Sequence, residues 1–244
     1  FNGNLDTGVT AGHYVRYNAS ANMNYKTGKT NFFVNYGYNG GDNYNYGFVE
    51  RPGVNLQDFK FINNNQSHLV KLGADFYLNE KNTLSFYTTQ NWFTGLASGR
   101  ASITDVNGNP LIFAPNRQDN TVPTQTYNIN YKIDFAKEGH NLEFEATYSE
   151  TDSDVFIDNL NTLQDPLDFD FQVFNYFNDI NSIRDNSQVN LDYTNPISEK
   201  TKLELGLEYR GDNTDNINLT DQEIYEFQTD VNGNFVFDPQ GNPI

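Results

Sequence analysis

Cysteine is absent from the 244 residues. Its absence excludes a disulfide framework and any thiolate metal centre, and leaves the cellular compartment open. Basic residues are scarce: 15 Lys and Arg face 32 Asp and Glu, a formal net charge of −17. A nucleic-acid binder, which needs a basic face to neutralise phosphates, is therefore excluded. Long apolar runs are missing too. Mean hydropathy is −0.70, and no stretch approaches the ~18 consecutive apolar residues of a spanning helix. A membrane barrel passes this test, because only alternate residues of its strands meet lipid. What is plentiful is aromatic, with 16 Tyr and 20 Phe beside 18 Gly and many Asn and Asp. Aromatic residues favour strands, and Asn, Asp and Gly favour turns.

The order of these residues is regular. In "HYVRYNASANMNYKTGKTNFFVNYGYN", Val15, Tyr17, Ala19, Ala21, Met23 and Tyr25 alternate with Arg16, Asn18, Ser20, Asn22 and Asn24. After the turn Lys26-Thr27-Gly28-Lys29 the code resumes through Phe32, Val34, Tyr36 and Tyr38. Strand side chains alternate between faces, so this is a hairpin with one apolar and one polar face. The pattern recurs around Val70–Leu78, Leu84–Trp92, Tyr127–Phe135, Leu142–Tyr148, Val189–Tyr193 and Leu203–Tyr209. With a first strand near Phe1–Thr10 it predicts about nine strands, each close to the ~9–11 residues that cross a bilayer at a tilt.

The connections discriminate between a soluble sandwich and a barrel. "KTGK", "NEKN", "AKEGHN" and "NPISEK" are tight, and the intervening connections are long, at approximately 40–67, 93–124, 150–186 and 211–244. A sandwich has no reason to gather its long connections at one end. Outer-membrane barrels do so, with turns in the periplasm and loops outside. The expected fold is all-β, an antiparallel transmembrane β-barrel segment spanning 1–244, in the bacterial outer membrane and against lipid. The chain opens on Phe1 and stops within "DPQGNPI". We therefore read it as a piece of a larger barrel, whose first and ninth strands should not pair with each other.

The stretch "RYNASANMNYKTGKTNFFVNYGYN" resembles the early barrel strands of TonB-dependent outer-membrane receptors of the Bacteroidetes type and of the related outer-membrane β-barrel family. The likeness lies in repeated strand–turn–strand grammar and includes no catalytic or ligand signature. It implies a plugged barrel that takes up scarce nutrients with energy passed by TonB. TonB would act through an N-terminal region, and a surface lipoprotein or other outer-membrane subunits are the implied partners. The alternative is a barrel without transport that serves as a structural or docking subunit. A secreted all-β adhesin is a weaker third reading.

Charged residues at the polar strand positions should line the lumen: Arg16, Lys71, Asp75, Lys132, Asp134, Glu143, Glu145, Asp192, Glu204 and Glu208. Trp92 and Tyr148 sit where an interfacial girdle is expected. "DVNGN" occurs at Asp105–Asn109 and Asp230–Asn234. It resembles the start of a calcium loop, yet Asn116 and Gly241 stand where the bidentate Glu belongs, so an Asn-Gly hairpin is expected in each copy. His13, His68 and His140 share no ligand spacing, so no metal or cofactor is expected. Ser67-His68 lacks the rest of a hydrolytic triad, and no catalytic residue is assigned. The third long connection holds eight Asp beside Phe156, Phe169, Phe171, Phe174, Phe177 and Tyr176, and is expected to be a hydrated, self-packed loop. Lys26, Lys29, Lys81, Lys137, Lys200 and Lys202 cluster at the short turns. A negative outer crown should follow, favouring neutral or cationic ligands over polyanions.

Overall fold

The computed structural model describes residues 1–164 and 171–222. Nine strands form one antiparallel sheet in sequence order: β1 (Asn2–Ala11), β2 (Val15–Thr27), β3 (Thr30–Arg51), β4 (Asn55–Asn79), β5 (Asn82–Asp105), β6 (Pro110–Asp134), β7 (Asn141–Gln164), β8 (Phe171–Ser198) and β9 (Thr201–Thr220). Every neighbour in sequence is the neighbour in space. The sheet is open: among the described residues β1 pairs only with β2, and β9 only with β8.

Register places the alternating apolar set on one face. Met23 lies opposite Val34, and Val34 opposite Leu72. Phe144 pairs with Leu191 and Leu191 with Leu207, while Ile133 pairs with Leu142 and Tyr193 with Leu205. Among the described residues nothing covers this face. No hydrophobic side chain among the described residues is buried, and Met23, Leu72 and Leu205 remain 48, 44 and 56% exposed to solvent. A soluble sandwich buries its apolar face against a second layer. Among the described residues there is no such layer, and lipid is the surrounding that suits this face.

The aromatic residues fix how the sheet stands in that lipid. On the apolar face Tyr17, Tyr38, His68, Trp92, Tyr127, Tyr148 and Tyr209 mark an upper line. A girdle must stay at one membrane depth, so its drift across the pairing register measures strand tilt. Tyr38, His68 and Trp92 are level, whereas Tyr17 pairs two residues above Tyr38, with Gly40. Trp92 pairs with Pro123, four residues above Tyr127, and Tyr209 lies two residues below Gly211, which continues the row of Tyr148 through Ser187. The line descends about eight residues between β2 and β9. That is roughly 4 Å along the strand for each ~4.8 Å step between strands, a tilt of about 40°. Membrane barrels tilt by ~35–45°. A lower line runs through Tyr25, Phe76 and Phe135, each eight positions below Tyr17, His68 and Tyr127. Eight residues at this tilt give about 20 Å of height before the rings are added, which fits an apolar band of ~25 Å.

The long connections are not irregular chain. Spans 40–67 and 93–124 continue the strands in register up to tips at 52–54 and 106–109, and β7 pairs with β8 from Asn141 to Gln164. β9 likewise runs on to Thr220. From Trp92 to Asp105 the sheet therefore rises roughly 30 Å beyond the band. Sheet geometry persists there because both faces carry hydrogen-bonding groups that tolerate water. The same feature hides it from hydropathy.

At the short-turn end, lysines bind backbone oxygens of the adjoining turn. Lys29 Nζ donates to the Leu78 carbonyl at 3.2 Å, and Lys137 Nζ donates to those of Pro196 and Ile197.

Candidate functional site: the polar face and its mouth

Arg16, Lys71, Asp75, Lys132, Asp134, Glu143, Glu145, Glu204 and Glu208 all occupy the face opposite the lipid-matched one, as does Asp192. Within the membrane band their neighbours are amide and hydroxyl donors. Asn31 Nδ2 and Ser85 Oγ donate to the two oxygens of Asp75 at 3.0 and 2.8 Å. Asn130 Nδ2 donates to Glu143, and Asn128 Nδ2 to Glu145, both at 2.7 Å. Asn128, 6% exposed, is the most enclosed polar side chain among the described residues and also donates to Thr147 Oγ1. Lys71 Nζ stands 4.0 Å above the Tyr87 ring, and Lys132 pairs with Asp134 at 3.3 Å. Charged side chains and their amide and hydroxyl partners therefore form a continuous hydrogen-bonded wall on this face.

Above the upper girdle the two faces diverge. On β7 to β9 most of the acids sit on the lipid-side face, continuing the row of Tyr148: Glu150, Asp152, Asp154, Asp158, Asp179, Asp185 and Asp215, while Asp212 faces the other way beside Asn186 and Arg184. Tyr148 Oη donates to Asp185 at 2.8 Å and to Glu150 at 3.2 Å. The acidity expected of a crown is thus one-sided and concentrated on β7–β9. The polar face of β1–β5 at the same height is lined instead by Asn18, Asn39, Asn43, Asn65 and Ser67, with Arg16 as its cation. Sequence reading missed this amide row because it treated 40–67 as a loop. The signal was present as Asn39, Asn43, Asn63 and Asn65 recurring at even spacing.

The first "DVNGN" is a hairpin tip. Asp105 Oδ1 accepts from the backbone N–H of Asn107 and Asn109, both at 2.8 Å, and Oδ2 accepts from Asn109 Nδ2 at 2.8 Å. Gly108 takes φ +86°, the left-handed conformation that the turn demands. The second copy lies outside the described residues, as does 165–170 of the third connection. The Asn109 side chain and then the backbone donors hold the Asp105 carboxyl below its ordinary range. A depressed carboxylate stabilises the turn above its unfolded pKa, and that contribution is lost as pH falls through the folded value. Amide exchange at Asn107 and Asn109 should accelerate, relative to Thr88, below about pH 4, near the ordinary Asp pKa. Asp105→Asn should remove this pH dependence.

The histidines are dispersed. His13 packs on Tyr44 at 4.8 Å, His68 accepts or donates to Tyr36 Oη through Nδ1 at 2.8 Å, and His140 meets Tyr193 Oη at 3.0 Å. Ser67 and His68 point to opposite faces, and Ser67 Oγ donates to Asn91 Oδ1 at 3.0 Å. Among the described residues no three His, Asp or Glu side chains converge as metal ligands.

Comparison with known proteins gives one match. Residues 133–242 fit the model of the outer membrane protein beta-barrel family. No curated protein and no solved structure matches the chain. The matched span covers β7, β8, β9 and the end of β6, and its apolar alternation is the one that the girdles frame. A single tilted antiparallel sheet with one lipid-matched face, carrying this match, is an outer-membrane β-barrel segment whose place is the bacterial outer membrane.

Proposed function

We propose that the chain is the barrel portion of a TonB-dependent receptor that takes up a scarce nutrient and performs no catalysis. The polar face supports this reading most directly. Hydrogen-bonding and charged side chains run along it from Lys132 and Glu143 near the short turns to Asn39 and Asn65 at the mouth. Such a wall suits the passage of a polar solute along the full height of the barrel. The long-hairpin end then faces outward and captures ligand, and the ten charged residues line the lumen through which it passes once a plug moves. TonB would engage an N-terminal region, and a surface lipoprotein could sit over the mouth. Cells lacking the gene should lose uptake of one nutrient class. Restoring the gene should rescue uptake only when TonB and the proton gradient are intact. Rescue that survives TonB deletion would overturn the proposal.

A docking subunit is the second reading, favoured by an exposed aromatic cluster on the lipid-side face above the girdle. Tyr44 and Tyr46 stack 6.4 Å apart, with His13 and Tyr14 against Tyr44 and Phe48 exposed beyond them. Under this reading, Tyr46→Ser with Phe48→Ser would dissolve an outer-membrane complex in native gels and leave nutrient uptake unchanged.

A further inference from the structure

The mouth of the polar face holds a pocket of about 420 Å³ spanning β1 to β5. Three features of its lining bear on what it could hold. Its lining contains no carboxylate, although the chain has 32 acidic residues. Three of its four asparagines are uncommitted: Asn18, Asn39 and Asn65 make no side-chain hydrogen bond among the described residues, whereas Asn31, Asn64 and Asn130 each bind a carboxylate. Its one cation, Arg16, has no acidic partner among the described residues. It spends a single donor on Asn43 Oδ1 at 3.1 Å, so most of its five N–H groups are free. Phe93 completes the lining, its ring lying along the strand over Gly95.

These groups specify a ligand. Each free amide offers a donor and an acceptor a short distance apart, which matches the vicinal hydroxyls of a pyranose. An aromatic ring provides a flat apolar surface for the C–H face of a sugar, and a free guanidinium is the side chain best suited to grip a carboxylate through two parallel bonds. Apolar subsites for peptide side chains are missing, since Phe93 is the apolar side chain that the lining presents on this face. We propose that this pocket binds an acidic saccharide, a pyranose bearing a carboxylate. Arg16 holds the carboxylate, Asn18, Asn39, Asn65 and Ser67 hold the hydroxyls, and Phe93 stacks on the ring. The acids of β7–β9 do not oppose this. Those above the girdle lie on the other face of the sheet, apart from Asp212. The polar-face acids Glu143, Glu145, Asp192, Glu204, Glu208 and Asp212 stand on β7–β9, at least two strands from the pocket's β5 edge, where at physiological salt their field has decayed over its ~8 Å range.

The inference rests on the uptake reading only for the direction from which ligand arrives. The test is calorimetric titration of the full-length protein in detergent with trigalacturonate, its methyl ester, the neutral sugar maltotriose and trialanine. Trigalacturonate should bind at least tenfold tighter than its ester or maltotriose. Arg16→Gln should abolish that preference and Arg16→Lys should keep part of it, while Phe93→Ala should weaken acid and ester alike. Equal affinity for acid and ester, an undiminished preference in Arg16→Gln, no saccharide binding, or tighter binding of trialanine would each overturn the proposal. The ester comparison uses the unaltered protein, so it decides even if a variant fails to fold. Binding in detergent needs no TonB. Trigalacturonate binding without uptake therefore removes the transport reading alone, and TonB-dependent uptake without this preference removes the site alone.

Discussion

Leu191→Arg should cost about 2–4 kcal/mol in a reversible unfolding measurement in lipid vesicles, the range for a basic side chain near the bilayer midplane. Leu191 sits in the lipid-matched row, paired with Phe144 on one side and Leu207 on the other. It stands four residues below Ser187, which is level with the girdle residue Tyr148, and so about midway down the eight-residue band. No neighbour can satisfy a guanidinium there, and the nearest water is beyond the girdles. Asn190→Arg is the matched control. Its side chain lies on the opposite face between Glu145 and Glu208, where a cation gains partners. That variant should change stability by less than about 1 kcal/mol, as exposed ion pairs do. Equal costs at the two positions would mean that the two faces see the same solvent, and the membrane placement would fall.

The second large effect concerns two glycines that look alike in sequence. A Cβ at Gly99 would press on the Lys60 carbonyl oxygen and stand 2.7 Å from the Phe61 Cα, both backbone atoms of the neighbouring strand. A Cβ at Gly47 would meet only the ring of Phe59. Backbone cannot yield without spreading β4 from β5, whereas a ring tip can swing aside. Gly99→Ala should therefore destabilise by about 1–3 kcal/mol, as overpacking does, and Gly47→Ala by clearly less. Phe59→Ala should abolish the remaining cost at Gly47, and Phe61→Ala should leave most of the cost at Gly99. Thermal unfolding followed by the gel shift of folded against unfolded barrel would measure all four. Gly12→Ala, whose nearest neighbour would be 3.8 Å away, sets the baseline.

The strands within the membrane were legible because lipid demands a strict period. Val15 to Tyr25 and Ile129 to Phe135 repeat every second residue, and no helix or loop would need that order. The charged wall was legible for the same reason, as the complement of that set. The tall hairpins were not. Above Trp92 neither face meets lipid, so Asn63, Asn64 and Asn65 give no contrast between one side and the other, and paired strand reads as polar loop. The mouth pocket was hidden further, since Arg16 and Phe93 are 77 residues apart and meet only through three intervening strand pairings. The one-sided acidity of β7–β9 required register as well. Asp152 and Asp185 share a face because Glu150 pairs with Asp185, which composition cannot reveal.

The seating of aromatic rings over glycines has a consequence for how such a sheet finds its alignment. Sliding one strand past its neighbour by a single residue would turn its apolar side chains into water, and lipid forbids that. Sliding by two residues restores the alternation, so the greasy pattern alone is blind to this error, and strands of 24 or 25 residues offer many such false alignments. Phe33 over Gly73 and Phe61 over Gly99 break the degeneracy. Shifted by two, Phe61 would face Ala97 or Ala101 and Phe33 would face Lys71 or Asp75, and the rings would lose the flat seats they occupy. The bare positions act as notches on a long ruler: the lipid sets the spacing of the marks, and the notches say which mark is zero.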